Sequence, residues 1–307
     1  MEPHTQNPSQ VAGPILAATD FSETAATAVQ WAAELARQQG ARLELVHAVT
    51  VPPSMPDYTP APGLDFTADV RRAAEDRLQS VVNELREAGI EAEAHIDAGT
   101  PSQVILDRAE ATAASALVVG TRGLTGLRHL LLGSTTERVI HGARCPVLTV
   151  HPEDRGRHRP LRTILVPTDF SKDAELAIAT SHRLLAPIAQ NARLILLHAF
   201  NLPIEYTAYG PIPTSVNYLK DTGLEAERRL YEMAQQLQRE GLTIETIARE
   251  GDPAHVIAAE AEARGADLIA MGTHGHGRLR YLLMGSTAER VIQHAPCPVM
   301  TIRRMEE

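Results

Sequence analysis

Two glycine-rich segments of the sequence have residue types and a spacing that could bind an anion. In each segment, a Gly-x-x-Gly pair is followed after nine residues by Gly-Ser-Thr, which opens a predicted helix. Glycine lets backbone N–H groups approach an anion closely, and a helix start offers unpaired N–H groups and a favourable dipole. The residues of the two copies are Gly120, Gly123, Gly133, Ser134 and Thr135, and Gly272, Gly275, Gly285, Ser286 and Thr287. This spacing is compatible with phosphate binding.

The same segments can also be interpreted as helix starts that need no ligand. Ser134 and Glu137, like Ser286 and Glu289, have the spacing of a capping box, which closes a helix start with two side chains. The sequence alone leaves capping and phosphate binding both open. It excludes two other phosphate motifs. No GxxxxGK[ST] segment occurs, and the glycines follow the predicted fourth strand, whereas a dinucleotide fingerprint would follow the first.

The chain repeats itself, and the repeat sets the predicted domain organisation. "ILAATDFS" at 15–22 returns as "ILVPTDFS" at 164–171, and "CPVLTV" returns as "CPVMTI" in the same order along the chain. A fixed order with nearly constant offsets indicates a tandem duplication. We predict a flexible tail at 1–12, a first domain at 13–151, a linker at 152–161 and a second domain at 162–304.

Each repeat alternates short apolar strands with amphipathic helices. In the first repeat, Ser22 is the predicted N-cap of a helix that ends at Gly40, and Pro101 occupies the first position of a later helix. Proline-rich segments at 50–64 and 201–215 are predicted loops, and the sequence leaves open whether they are surface loops or lids over a ligand. Alternating strands and helices indicate an α/β fold with a parallel sheet, helices on both faces and right-handed crossovers.

Composition and charge exclude several classes of protein. The formal net charge of −9 argues against a nucleic-acid binder, and the sequence has no apolar run long enough to span a membrane. The only cysteines, Cys145 and Cys297, are too few for a disulfide framework, so we expect buried thiols and a cytoplasmic protein. His274 and His276 have no third ligand nearby in sequence, so a metal site cannot be assigned, and their place in the second glycine segment leaves a phosphate contact open.

The ordered markers resemble the universal stress protein family in its nucleotide-binding branch. "TDFSETA", "LVHA", the glycine spacing, "GSTTERVI" and "CPVLTV" occur in this order, and counterparts of all of them recur in the second repeat. The resemblance covers nearly the whole chain and is closest to tandem-domain members. It implies two doubly wound, Rossmann-like domains of the adenine nucleotide alpha hydrolase type, each a five-strand parallel sheet of order 3-2-1-4-5. It also implies binding of ATP, or of ADP or AMP, with Mg as an optional companion.

That strand order places the switch point of each sheet between its first and fourth strands, where open α/β sheets bind ligands. Asp20 ends the first strand and Gly120 ends the fourth, so both are expected at one crevice. The resemblance implies that Asp20 and Asp169 contact the ribose or adenine and leaves their role towards a metal open. It further implies that Ala48 and Ala199 offer backbone groups to the adenine.

In the family, a proline usually lies two residues before this aspartate; Pro167 matches that pattern and Ala18 departs from it. The resemblance assigns the phosphates to the glycine segments of both copies. Four nearby arginines either neutralise phosphate or remain solvated; they are Arg122, Arg128, Arg278 and Arg280.

Three functions are compatible with the sequence. The first is a regulatory protein of the stress response that binds ATP, with one site per repeat. The second is an enzyme with slow ATP hydrolysis or autophosphorylation, although the sequence shows no catalytic dyad. The third is an interaction module without a ligand. The resemblance implies that the last strand of each domain pairs with another domain. Because "CPVLTV" and "CPVMTI" would otherwise form exposed sheet edges, we predict that they pair with each other within the chain as a pseudo-dimer. A further homodimer is compatible with the sequence, which identifies no protein partner.

Overall fold

The computed structural model describes most of the chain. The described residues are 13–50, 66–123, 132–200, 204–207, 210–213, 216–237, 241–274 and 284–304. Gly275, His276, Arg128, Arg278, Arg280 and residues 51–65 therefore lie outside the described residues.

Among its described residues, the first repeat contains five strands and four helices in alternation. The strands are β1 (Ile15–Ala18), β2 (Leu43–Val49), β3 (Ala92–Ala98), β4 (Ala116–Gly120) and β5 (Val147–Val150). The helices are α1 (Glu23–Gln39), α2 (Phe66–Glu87), α3 (Pro101–Ala111) and α4 (Ser134–Gly142).

The second repeat has the same succession with one added hairpin. Its strands are β6 (Thr163–Pro167), β7 (Ala192–Phe200), β8 (Ile204–Thr207), β9 (Gly210–Pro213), β10 (Leu242–Glu250), β11 (Leu268–Gly272) and β12 (Val299–Ile302). Its helices are α5 (Lys172–Leu185), α6 (Val216–Gln236), α7 (Pro253–Ala263) and α8 (Ser286–His294). Short 3₁₀ helices cover Pro152–Asp154 and Ala186–Ile188.

Ten strands form one continuous sheet in the order β10-β7-β6-β11-β12-β5-β4-β1-β2-β3. Its first half is β3-β2-β1-β4-β5, so the predicted order 3-2-1-4-5 is confirmed, and the second half follows the same order. All pairs within each half are parallel. The fold is therefore α/β with two tandem Rossmann-like units, as expected.

The two halves join through an antiparallel pair of their last strands. Leu148 of β5 lies opposite Met300 of β12, and the Thr149 hydroxyl donates a hydrogen bond of 2.9 Å to the Val299 carbonyl. The predicted pairing of "CPVLTV" with "CPVMTI" within the chain is confirmed. The exposed edges that these strands would present alone are covered, as sheet edges generally must be.

Each face of the sheet carries one apolar core that runs through both repeats. One core includes Trp31 of α1 and Leu185 of α5, and the other includes Ile140 of α4 and Ile292 of α8. The predicted helix signals of α1 are confirmed: the Ser22 side chain accepts from the Ala25 amide, and Gly40 ends the helix at a φ of 62°.

Three local predictions need correction. Ser134 and Ser286 are not N-caps: the caps are Gly133 and Gly285, with no side-chain cap bond, so the capping-box interpretation is wrong. The segment 201–215 is not only a loop, because β8 and β9 form an antiparallel hairpin within it. The predicted polar linker is partly buried, since Asp154 is 2% exposed.

Candidate functional site

The Thr-Asp-Phe-Ser sequence at the end of β1 forms a tight turn that fixes the position of the aspartate. The Thr19 hydroxyl accepts from the Phe21 amide at 3.0 Å, and Asp20 Oδ1 accepts from the Ser22 amide at 2.9 Å. Phe21 has a φ of 64°, a left-handed conformation that is unfavourable for a residue with a side chain. The turn after β6 repeats this geometry, with Phe170 also at 64°. Two turns with the same strained residue hold Asp20 and Asp169 at equivalent places.

A histidine on the neighbouring strand stabilises each turn. His47 of β2 donates through Nδ1 to the Thr19 carbonyl at 2.8 Å, and its ring lies 4.5 Å from that of Phe21. His198 of β7 makes the same bond to the Thr168 carbonyl at 2.7 Å. The backbone of the following residue, Ala48 or Ala199, is thereby held beside the turn.

The glycines of the first copy pack closely against this turn and its helix. A Cβ placed on Gly123 would lie 2.5 Å from Asp20 Oδ2, and one on Gly120 would lie 2.8 Å from the Thr24 methyl carbon. In the second copy, a Cβ on Gly272 would lie 2.8 Å from the Asp173 Cβ. A side chain at Gly120 or Gly272 would therefore crowd the first turn of α1 or α5, and Gly123 lies beside the Asp20 carboxylate.

An equivalent backbone hydrogen bond links the end of each glycine segment to the residue that directly follows β4 or β11. The Gly133 amide donates to the Thr121 carbonyl at 2.9 Å, and the Gly285 amide donates to the Thr273 carbonyl at 2.9 Å. Helices α4 and α8 begin immediately afterwards without a side-chain cap. The first N–H groups of a helix have no partner within it. The Ser-Thr pairs at these starts thus present the kind of surface that binds anions.

In the second repeat, the expected residues surround one cavity of about 330 Å³. Seven of the eight residues expected there line it, and the eighth, Gly275, lies outside the described residues. The seven are Pro167, Asp169, Ala199, Gly272, Gly285, Ser286 and Thr287. The cavity extends across β6 from β7 to β11, because Ala199 and Gly272 belong to the strands on either side.

The rest of the cavity wall could not be recognised from sequence. Leu197, Ile257 and Met271 supply an apolar surface to it. Each of these residues has the pattern of an ordinary core position in a strand or helix, so only their placement at the end of the sheet reveals them. Small-molecule sites commonly combine such apolar side chains with a few polar groups that orient the ligand.

His274 is the most informative side chain in this cavity. Its Nδ1 lies 2.9 Å from the Thr273 hydroxyl, whereas its Nε2 is buried and has no hydrogen-bond partner among the residues that the structure describes. A buried polar atom of this kind is unfavourable unless something else satisfies it. The sequence assigns His274 to no metal site, and its place in the second glycine segment leaves a phosphate contact open.

The residue at the corresponding position of the first repeat has a different environment. Arg122 lines a second cavity of about 750 Å³, formed largely by the linker and the ends of α7 and α8. This cavity is larger, but it collects oppositely charged side chains and lacks the paired glycine segments. The chemistry therefore favours the smaller cavity as the functional site.

Neither cysteine belongs to the smaller cavity or behaves as a reactive thiol. Burial raises the pKa of the Cys145 thiol to about 11, and burial also raises that of Cys297. Both thiols are free and stay protonated at neutral pH, where the thiolate would be the reactive form.

Among the described residues, no cluster of three or more His, Cys, Asp or Glu side chains could hold a metal ion. No helix among the described residues is long and apolar enough to cross a membrane.

Comparison with known protein families identifies the two repeats. The model of the universal stress protein family matches residues 12–151 and again residues 160–303. The chain belongs to the universal stress protein family. It is a tandem member, since two copies of the domain share one chain.

Similar proteins agree with this assignment over the whole length. A universal stress protein from Mycolicibacterium smegmatis is 29% identical over 300 residues, which cover 94% of this chain and 96% of the relative. One from Thermus aquaticus is 34% identical over 149 residues and corresponds to a single repeat, covering 46% of this chain and 98% of the relative. The crystal structure of a universal stress protein from Archaeoglobus fulgidus superposes with a TM-score of 0.69 at 24% identity, covering 95% of this chain and 98% of that one. The last comparison supports the tandem fold.

Proposed function

We propose that this universal stress protein binds an adenine nucleotide, with ATP as the expected ligand, and that occupancy regulates its part in the stress response. One site per repeat is proposed. The observation that carries the proposal is the cavity of the second repeat, where seven expected residues, an apolar wall and the unsatisfied Nε2 of His274 converge.

The chemistry of the cavity fits the two parts of a nucleotide. The amides at the start of α8, beside Gly285, Ser286 and Thr287, suit phosphate oxygens. Leu197 and Ile257 suit the face of a purine. Asp169 is a carboxylate in the same wall and would accept from ribose hydroxyls or help to hold Mg²⁺ if the ligand carries it.

The proposal is tested by what the protein carries and what it binds. Mass spectrometry of denatured, freshly purified protein is expected to detect an adenine nucleotide, and calorimetry of nucleotide-free protein is expected to show binding of Mg-ATP at two sites. A protein that carries no nucleotide and gives a flat titration would contradict the proposal. The mass of the bound molecule also separates ATP from ADP and AMP.

His274 provides a sharper test of the second site. His274 lines the cavity, and its buried Nε2 has no partner among the described residues, so we propose that Nε2 donates to a phosphate oxygen of the bound ligand. Replacing His274 with alanine is expected to weaken ATP binding there by roughly 10-fold or more. This magnitude follows from the ~1.5–3 kcal/mol of a hydrogen bond to a charged group. The measurement is calorimetry with ATP and with adenosine, which has no phosphate. Adenosine affinity is expected to change little.

His158, an exposed histidine of the linker, supplies the matched control. The His158→Ala variant is expected to bind ATP like the unaltered protein. If His274→Ala binds ATP with unchanged affinity, or loses adenosine and ATP affinity equally, His274 has no phosphate contact.

A slow ATPase or autophosphorylating activity is the second candidate, because Asp20 Oδ2 lies against Gly123 and so places a carboxylate beside the glycine segment. If turnover occurs, Asp20→Asn combined with Asp169→Asn is expected to reduce it. Equal rates in the two proteins would contradict this candidate. A cytoplasmic location and a further homodimer also remain proposals, and we propose neither nucleic acid nor membrane as a partner.

A further inference from the structure

One buried histidine connects the glycine segment of the first repeat to a helix of the second. His151 directly follows β5 and is 8% exposed. Its Nδ1 lies 3.1 Å from the Thr121 hydroxyl, and its Nε2 lies 2.5 Å from the carbonyl oxygen of Ile292 in α8. The two ring nitrogens therefore contact different repeats.

The protonation of His151 follows from these partners. A carbonyl oxygen can only accept, so Nε2 carries the hydrogen and donates to Ile292. Burial lowers the pKa of His151 by more than the hydrogen bond to the Ile292 carbonyl raises it, so the neutral ring is favoured. In the neutral ring Nδ1 is an acceptor, and the Thr121 hydroxyl donates to it. A chain of two directed hydrogen bonds thus runs from Thr121 to α8.

Thr121 connects the glycine segment of the first repeat to His151. It follows Gly120, is 2% exposed, and its carbonyl accepts the Gly133 amide at the start of α4. Its backbone therefore joins the two ends of the glycine segment while its hydroxyl contacts His151. Thr273, its counterpart, instead has its hydroxyl against His274 inside its own repeat.

A second contact links a helix of the first repeat to the glycine segment of the second. His141, in the last turn of α4, accepts through Nε2 from the amide of Met284 at 3.1 Å. Met284 immediately precedes Gly285, the N-cap of α8. Arg303, after β12, donates to the carbonyl of His141 at 2.5 Å. The helix that starts at the first site thus ends against the glycine segment of the second.

We propose that these crossing contacts couple the two nucleotide sites, so that filling one increases the affinity of the other. The inference rests on the proposed function and assigns regulation to the same sites. A nucleotide that holds Thr121 and Gly133 in the described conformation also favours the His151 contact to α8. Helix α8 begins at the second site with Ser286, eight residues before its last residue, His294, which is about 12 Å at the rise of an α-helix. Such coupling is reciprocal between the two sites.

The coupling can be measured against proteins that keep one site only. Gly133→Asp and Gly285→Asp each place a carboxylate at one helix start and are expected to leave a single working site. Calorimetry with Mg-ATP gives the affinity of each remaining site and the two affinities of the unaltered protein. We expect the second nucleotide to bind the unaltered protein at least about 5-fold more tightly than it binds the corresponding single-site protein, a ratio at the lower end of known couplings.

Variants of the two histidines test whether the crossing contacts carry the effect. Asparagine at position 151 reproduces the acceptor towards Thr121 and is too short to reach Ile292, whereas alanine at position 141 removes the acceptor for Met284. His151→Asn and His141→Ala are each expected to reduce the coupling, and together to abolish it, with single-site affinities unchanged. His158→Asn, in the exposed linker, is the control and keeps the full coupling.

The possible outcomes separate this inference from the function on which it rests. If no protein in the set binds nucleotide, the proposed function fails and the coupling fails with it. If two sites bind independently, or the second binds more weakly after the first, the function stands and the coupling is wrong. Coupling that persists in the His151→Asn, His141→Ala double variant would overturn the assignment to these contacts.

Discussion

Replacing Gly133 with aspartate is expected to remove the first nucleotide site while leaving the folded protein as stable as before. Gly133 is the N-cap of α4, with φ −63° and ψ 140°, a conformation open to any residue. Aspartate is among the best N-cap residues and stabilises a helix by a few tenths of a kcal/mol relative to glycine. Its carboxylate would occupy the amides that a phosphate needs and would repel the phosphate charge.

The expected loss of affinity at that site is about 100-fold or more, because two like charges ~4 Å apart near a protein surface repel by ~4 kcal/mol. Calorimetry would then report one site instead of two, and thermal unfolding without ligand would be unchanged or slightly raised. Gly285→Asp is the matched variant, since Gly285 caps α8 at φ −61° and ψ 139°. Each single variant should retain one site and the double variant none.

Gly133→Asn and Gly285→Asn separate charge from size. Asparagine caps a helix as well as aspartate does and has the same shape without the charge. A Cβ at either glycine would lie 3.3 Å from the carbonyl oxygen of Thr121 or Thr273, so a modest steric effect is expected in both pairs. The asparagine variants should therefore bind more tightly than the aspartate variants. Full binding of two nucleotides by the double aspartate variant would exclude the helix starts as phosphate sites.

Replacing Asp154 with asparagine is expected to stabilise the protein at pH 8 and to do so much less at pH 4.5. Asp154 is 2% exposed, and burial raises its pKa from 3.8 to about 6. The folded protein thus binds a proton more tightly than the unfolded chain, so stability from this group falls as the pH rises from about 4 to 6. Above pH 6 the buried charge destabilises the fold by up to ~3 kcal/mol.

Asparagine resembles the protonated carboxyl group and still offers an oxygen to the His151 amide, which donates to Asp154 Oδ2 at 2.8 Å. We therefore expect Asp154→Asn to raise the free energy of unfolding by up to ~3 kcal/mol at pH 8, with the gain smaller by about 2 kcal/mol at pH 4.5. Urea unfolding of both proteins at the two pH values measures this difference.

Glu153→Gln is the control for this prediction, because Glu153 is the exposed acid next to Asp154 in the same segment. Its replacement is expected to change stability little and equally at both pH values. A gain from Asp154→Asn that is the same at pH 4.5 and pH 8 would show that the carboxyl group is not destabilised by its burial.

The sequence by itself determined the architecture and the positions of the glycine segments. The alternation of strands and helices indicated a parallel sheet, the repeated markers set two equivalent units, and the Ser22 and Gly40 signals marked α1 correctly. These features depend on residues close together in the chain, or on the same local pattern occurring twice. The prediction that the last strands pair also followed from sequence, because unpaired edges are unfavourable in both repeats.

Only the tertiary structure decided how the helix starts and the cavity are built. Ser134 has the spacing of a cap, but the Gly133 amide is held by Thr121, twelve residues earlier, which makes the glycine the cap. Ile257 and Met271 resemble core residues until the sheet places them around one cavity. The contact of His151 with Ile292 joins residues 141 positions apart. No local pattern encodes such contacts, because they depend on how distant parts of the chain come together in the folded sheet.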